Sequence, residues 1–399
     1  MIDRLLKPYK GFSREVWLLA LITFVNRAGA MVIPFLSLYL NKDLGFSLSQ
    51  VGWIMSCFGF GSLLGVFLGG KLTDQIGYYK VMYSSLLLGG LVFFILQFFQ
   101  SLIAVCIGFF ILSLVIDAFR PAIWVALSAN SREENRTRSV TLIRLAINLG
   151  FSIGPALGGL IIAGIGYQGL FWVDGLTCMI AGFLLLKLLV PKKAHQLDDL
   201  LPQINQSPYR DKTYILFWLG MFLIGFCFMQ YFATVPLFFH EVYELSEKQI
   251  GYILALNGLL IFLVEMPIIH HLVVKKTNMM NMTIIGAFLL LLSFLAMNIP
   301  FWIGIPILAI VLMTFGEILN FPFSNTYALQ RAQRGNKGAY MALYSMSFSV
   351  AHILGPNIGM QLTEKFEFRT TWIVMATLLF VAMILFLVVK RQDNSALKN

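Results

Sequence analysis

A few ionisable side chains lie where the chain is otherwise apolar. Arg27 falls midway along the first long apolar stretch, next to Asn26. Asp117 and Arg120 interrupt the fourth stretch three residues apart, which on a helix puts them on one face where they can pair. Glu265 precedes Pro267, and Glu317 is close to Asn320 and Pro322. Arg144, Asp174 and His352 complete the set. A charge at the centre of a membrane helix costs about 2.5–3.5 kcal/mol on insertion scales, so each needs a reason. Proton exchange and ion binding are the chemistries on offer. A carboxylate that alternates between a dry site and a cationic neighbour takes up and releases a proton. Glu317 has no basic residue near it in sequence and is the first candidate. Glu265 is second. Asp117 is third, because Arg120 would hold it ionised.

Enzyme chemistry is not expected. His195, His240, His270, His271 and His352 are scattered, and no nucleophile–base or metal constellation forms from them. Cys57, Cys106, Cys178 and Cys227 lie inside apolar stretches without ligand spacing and read as small core hydrophobes. There is no phosphate-binding glycine loop to imply direct nucleotide drive. No cofactor is implied beyond a proton as coupling ion.

These residues must be positioned by membrane helices. The chain is 58% hydrophobic and 12% charged, against roughly 25% charged in soluble domains. Its mean hydropathy is +0.80. A spanning helix needs about 20 apolar residues, and such stretches fall at 15–40, 48–70, 79–99, 101–129, 139–166, 168–190, 212–240, 248–273, 279–298, 301–328, 338–362 and 369–390. The reading is an all-α integral membrane protein of 12 transmembrane helices. The first apolar stretch is too long for a cleaved signal peptide. The net charge of +10 does not point to nucleic acid. Lys and Arg concentrate at the N-terminus, in alternate loops and at 390–391, with little beyond Lys42, Lys248, Lys365 and Arg369 elsewhere. That asymmetry predicts cytoplasmic termini in a cell membrane, inner or plasma.

The chain also repeats itself. Val32–Leu40 (VIPFLSLYL) matches Thr234–Val242 (TVPLFFHEV), with Pro34 aligned to Pro236. Gly154-Pro155-Ala156-Leu157-Gly158 matches Gly355-Pro356-Asn357-Ile358-Gly359, and Pro121 pairs with Pro322. The offset is 199–202 residues, half the chain. This predicts two six-helix bundles, 1–190 and 212–399, joined by a polar linker at 191–211, with the site at the repeat interface.

Two motifs carry a family resemblance. Gly69-Gly70-Lys71-Leu72-Thr73-Asp74-Gln75-Ile76-Gly77-Tyr78-Tyr79-Lys80, between the second and third spans, resembles the signature loop of the major facilitator superfamily, G-G-x-L-A-D-R-x-G-R-R-K. Gly69, Gly70, Leu72, Asp74, Gly77 and Lys80 match, while Gln75, Tyr78 and Tyr79 replace the usual arginines. The resemblance implies that Asp74 helps latch the two halves on the cytoplasmic side. In the fifth span, Gly150, Gly154, Pro155, Gly158 and Gly159 fit in full the G-x-x-x-G-P-x-x-G-G pattern of drug:proton antiporters in that superfamily. The usual fourth-span pattern, Arg then Gln-Gly, is absent, and Asp117-Ala118-Phe119-Arg120-Pro121 stands there instead.

In that superfamily spans 1, 4, 7 and 10 line the central cavity. The resemblance therefore implies a substrate path with Asn26, Arg27, Asp117, Arg120, Gln230, Tyr231, Glu317 and Asn320 along it. It further implies proton-coupled export of small hydrophobic or amphipathic molecules, including multidrug efflux, by alternating access. The alternative is proton-coupled uptake of a peptide, sugar or other metabolite, which a cavity-facing Arg27 would suit. The expected partners are a small-molecule substrate and membrane lipid, with a monomer sufficient.

Overall fold

The computed structural model describes residues 12–131, 136–190, 207–299, 302, 304–332 and 337–396. Among them the regular elements are helices, as a lipid-facing backbone requires, because each N–H and C=O must be satisfied within the protein. In chain order they are α1 (Arg14–Ala28), α2 (Val32–Leu38), α3 (Leu48–Ile76), α4 (Tyr78–Leu96), α5 (Leu102–Asp117), α6 (Phe119–Asn130), α7 (Arg136–Ile165) and α8 (Gln168–Leu188). Then come α9 (Lys212–Phe228), α10 (Thr234–Tyr243), α11 (Glu247–Val274), α12 (Met279–Ala296), α13 (Ile305–Arg331) and α14 (Lys337–Ala396). Eleven continuous helical stretches among the described residues are long and apolar enough to cross a membrane. The last, Tyr340–Asp393, is 54 residues long and contains Glu367 at φ 65° and ψ 169°. Helical geometry fails there, and the stretch divides into the two final spans.

The expected spans correspond to these helices with two local differences. The second span continues to Ile76, so most of the Gly69–Lys80 motif is helix. The turn is Gly77 alone, at φ 88°, where only glycine is unstrained. The first, fourth and seventh spans are each broken, the fourth only at Ala118 between α5 and α6. α1 ends before Gly29 and α2 restarts at Val32, while α9 ends at Phe228, passes through a single tight turn at Met229–Tyr231, and resumes as α10.

The contacts group into two units. Unit 1 is Met1–Phe35 with Cys57–Asp199, and unit 2 is Leu36–Ser56 with Leu200–Asn399. Unit 1 buries Leu19, Ile22, Met82, Phe119, Ile123, Ile143 and Leu185 in one apolar core. The expected linker at 191–211 falls largely outside the described residues. At its described end, Pro208–Arg210 forms one short turn. Leu36–Ser56 groups with unit 2 for specific reasons. Ser56 Oγ donates to the Ile353 carbonyl (2.6 Å), Lys42 pairs with Glu241 (3.0 Å), and Ser49 bonds the Glu364 carboxylate. Gly52 lies so close to α14 that a Cβ there would be 2.9 Å from Asn357 Cα.

One end of unit 2 is tied by an ionic knot. Asp211 caps α9 by accepting from the Tyr214 N–H (3.1 Å), and it receives Arg331 Nε (2.7 Å) and Nη2 (2.8 Å) as a fork. Arg331 also reaches Asp393, and Tyr340 Oη donates to Asp211 (3.1 Å). Thus the start of α9 and the ends of α13 and α14 share one charge cluster. Burial opposes ionisation of Asp211, but the Arg331 fork and the Tyr214 and Tyr340 donors outweigh it and hold the carboxyl below its ordinary range. Asp211→Asn should cost about 3 kcal/mol, the low end for breaking a buried pair, since Asp393 remains. A depressed native value makes this contribution complete above the unfolded-state value of about 4 and lost as pH falls through the native one. Thermal unfolding in detergent should therefore show a wild-type advantage that is flat from about pH 7 to 5 and shrinks below about 4. An advantage unchanged at about pH 3 would exclude the ionised carboxylate as its source.

Candidate functional site

The break in α1–α2 exposes backbone donors in the middle of a span. Asp174 of α8 meets them. Its carboxylate accepts from the Met31 N–H (3.0 and 3.1 Å to its two oxygens) and from the Val32 N–H (2.9 Å). Asp174 is 0% exposed, so these bonds form away from water. On the same side, Gly29 packs so tightly against α8 that a Cβ would lie 1.8 Å from Thr177 Oγ1. On the other side lies the Gly-Pro motif of α7. A Cβ at Gly150 would be 2.5 Å from Arg27 Cβ and 2.9 Å from the Ala28 nitrogen, and one at Gly158 would be 2.9 Å from the Phe35 ring. A Cβ at Gly154 would be 3.4 and 3.6 Å from the Ala28 and Ala30 carbonyl oxygens. Pro155 and Gly159 are buried on the same helix. The antiporter-like motif is therefore the seat of the broken span.

Unit 2 repeats the arrangement with different chemistry. Gln230 sits in the α9–α10 break, 0% exposed. Its Nε2 donates to the Gly355 carbonyl (2.8 Å), and its Oε1 accepts from Thr234 Oγ1 (2.7 Å). A Cβ at Gly359 would fall 2.0 Å from Gln230 Oε1. Tyr231 is bonded to Ser293 of α12. Asn320 is also 0% exposed and donates to the Thr283 carbonyl (3.0 Å). Gln230, Tyr231 and Asn320, expected along a substrate path, make contacts between helices of unit 2. Asn320 Oδ1 is buried without a hydrogen-bond partner.

The charged candidates separate into two sets. In unit 1, Arg120 Nε lies 2.8 Å from Asp117 Oδ1, the pairing their spacing implied. Arg27 is half-buried, with its guanidinium 5.6 Å from the centroid of the Phe151 ring. Asn26 donates to Cys178 Sγ (3.4 Å). In unit 2, Glu317 of α13 accepts from Asn257 Nδ2 of α11 (3.1 Å), which also bonds Thr314 Oγ1 (3.0 Å). Glu265, two turns beyond Asn257 on α11, is within electrostatic range of Glu317. Among the described residues no cation forms an ion pair with Glu317. A cavity of about 360 Å³ opens elsewhere in unit 2, beside Phe238, Met297, Glu367 and Arg369, and contains none of these groups. Gly70 has ordinary contacts only, and Asp74 is exposed.

Two broken spans, each seated on a Gly-Pro helix, within an all-helical membrane chain can now be set beside known proteins. The profile of the Major Facilitator Superfamily matches residues 16–356. The chain belongs to the Major Facilitator Superfamily. It is 26% identical to the uncharacterized MFS-type transporter YqjV of Bacillus subtilis, over 89% of this chain and 87% of that protein. It is 21% identical to a Na(+), Li(+), K(+)/H(+) antiporter of Planococcus maritimus (89% and 90% covered) and 24% identical to multidrug resistance protein 2 of Bacillus subtilis (82% and 83%). The crystal structure of the nucleoside transporter NupG has the same fold, with a TM-score of 0.77 at 15% identity, covering 94% of this chain and 99% of that one. This superfamily member is thus a multi-pass membrane transporter and not an enzyme.

Two residues of the transporter's site are not recognisable as functional from the sequence. Asp174 reads only as another intramembrane charge, and Asn257 as an ordinary polar residue. The available signal for Asn257 is its position eight residues before Glu265, on the same side of one helix.

Removing the Asp174 acceptor leaves the buried Val32 N–H unmet, at about 1–3 kcal/mol, and leaves the Met31 N–H with the Gly29 carbonyl (3.0 Å) alone. Asp174→Ala should be markedly less stable than wild type in detergent, and Asp174→Asn, which retains one acceptor oxygen, should fall between them. Equal unfolding midpoints for all three proteins would show that the break does not need this side chain.

Proposed function

We propose that this transporter exports small amphipathic molecules in exchange for protons. The observation that carries this reading is the Glu317 site. It is an intramembrane carboxylate held by a neutral amide, Asn257, with a second carboxylate, Glu265, in range and no described cation paired to it. Such a group can exchange a proton without breaking a salt bridge. Asp117, the carboxylate 200 residues earlier, has Arg120 at 2.8 Å and is the weaker candidate. Glu265 would assist by repelling a second negative charge.

The seats of the two breaks support the alternating part of the cycle. Spans 1 and 7 are built from shorter rods joined at non-helical points, and each rests on glycines that let its backbone slide or pivot at close range. Export is supported by the complete antiporter-type Gly-Pro motif, and by two relatives named as an ion/H(+) antiporter and a multidrug resistance protein. The protein would work in the cell membrane with both termini cytoplasmic. Proton-coupled uptake is the second reading, favoured by Arg27, a half-buried cation suited to an acidic metabolite.

The purified protein in liposomes with a trapped pH dye tests the reading. Lipophilic cations, zwitterions, peptides and organic acids are added in turn, with Na(+) and K(+) as separate arms. A substrate gradient should drive protons the opposite way, and Glu317→Gln should reduce that flux at least tenfold while substrate binding persists. Protons moving with the substrate would replace export by uptake. Substrate movement without proton flux would remove proton coupling.

A further inference from the structure

Among the described residues of unit 1, no carboxylate forms an ion pair with Arg27. Arg27 Nε is buried and has no hydrogen-bond partner. The neighbouring carboxylate, Asp117, is engaged by Arg120 at 2.8 Å. Asp174, the other buried carboxylate nearby, is occupied by the Met31 and Val32 N–H groups. Arg27 lies within electrostatic range of both Arg120 and Asp117. Two guanidiniums therefore share one carboxylate. Leaving a guanidinium in a membrane span with an unmet donor is costly and needs a compensating partner.

The surroundings define what that partner would be. The guanidinium lies over the Phe151 ring, and that ring is 41% exposed. Arg120 presents a 47% exposed side chain even while paired. A planar fork of donors matches a carboxylate or a comparable oxyanion in two-point fashion. The adjoining aromatic face offers an apolar surface for the rest of the ligand. Gly150, packed against Arg27 Cβ, fixes the root of the side chain and so limits where its tip can go.

We infer that Arg27, with Phe151 beside it and Arg120 within electrostatic range, forms the head-group subsite for an amphipathic organic anion. This specifies the substrate class within the transport reading above and rests on it. Lipophilic cations, which a site built only from carboxylates would take, are disfavoured at this subsite. Asp117 sets its strength by offsetting one of the two positive charges.

Equilibrium binding to the purified full-length protein in nanodiscs tests this without any gradient. Three probes share one apolar body: 4-phenylbutyrate, 4-phenylbutanol and 4-phenylbutylamine, which are anionic, neutral and cationic at pH 7. Wild type should bind the carboxylate at least tenfold more tightly than the other two. Arg27→Gln should abolish that preference, Arg27→Lys should retain part of it, and Asp117→Asn should increase it. Sulfate should compete only weakly, because it lacks the apolar body. Equal or tighter binding of the amine or alcohol to wild type overturns the inference, as does absent 4-phenylbutyrate binding. An intact preference in Arg27→Gln overturns the assignment to Arg27. Should Arg27→Gln fail to fold, the wild-type comparison still decides the ligand class, and Arg27→Lys decides the residue. If carboxylate preference holds while the liposomes show no proton flux, the coupling reading falls and this subsite stands. Coupled flux with no preference for the anion removes the subsite and leaves the coupling in place.

Discussion

A broken helix inside a bilayer leaves backbone donors with no water to meet them, and the fold is organised around that constraint. Every unsatisfied N–H in hydrocarbon costs several kcal/mol. In unit 1 the Asp174 carboxylate meets the Met31 and Val32 N–H groups. That requirement fixes α8 against the break, demands glycine at position 29 where Thr177 intrudes, and leaves α7 to close the opposite side. The glycines at 150, 154 and 158 then follow from the need to bring a third backbone within contact distance.

The two halves meet this constraint differently, and in unit 2 the Phe232 and Ala233 N–H groups of the break bond the nearby Met229 and Gln230 carbonyls (both 3.2 Å). Unit 2 places Gln230 within the break itself, so the amide both donates to Gly355 and accepts from Thr234. A neutral amide offers a donor and an acceptor but no net charge. A carboxylate offers only acceptors when ionised, and it brings a charge that must be counted among its neighbours. Both halves of the repeat keep the break and its glycine seat, but the Gln230 amide braces α14 and Thr234 and does not take up the N–H groups of its own break.

Much of this is legible in the sequence. Hydropathy locates the spans, because lipid imposes a minimum length on each. The i,i+3 rule pairs Asp117 with Arg120 from spacing alone. The breaks are also foreshadowed, though by a feature that reads first as repeat evidence. Pro34, Pro121 and Pro236 each occupy the third residue of a helical segment, in α2, α6 and α10. Proline is tolerated there because a first-turn N–H has no intrahelical partner to lose. What composition does not show is which partners the polar residues meet. Gln230, Tyr231 and Asn320 have the types and positions of path-lining residues, and their hydrogen bonds reach carbonyls and hydroxyls of neighbouring helices. That depends on partners tens to more than a hundred residues away. The Gly69–Lys80 motif likewise reads as a loop by its polarity, whereas its glycines and Leu72 extend the helix to Ile76.

The duplicated carboxylates show how a proton site can arise from a structural pair. Asp117 has an arginine three residues later, and the two form an ion pair at 2.8 Å. Glu317 has an asparagine three residues later, and Asn320 turns away to bond the Thr283 carbonyl. The same helical spacing thus gives a neutralised carboxylate in one half and an unneutralised one in the other. Asn257 fills the vacated role only partly, since an amide can hydrogen-bond either protonation state of Glu317 by rotating its oxygen or nitrogen forward. An arginine cannot do this, because it only donates and always carries charge. In the proposed cycle, replacing arginine by asparagine at the third position is therefore what frees the second carboxylate to exchange a proton. Because Arg120 takes up Asp117, Arg27 is the cation left for the inferred anion.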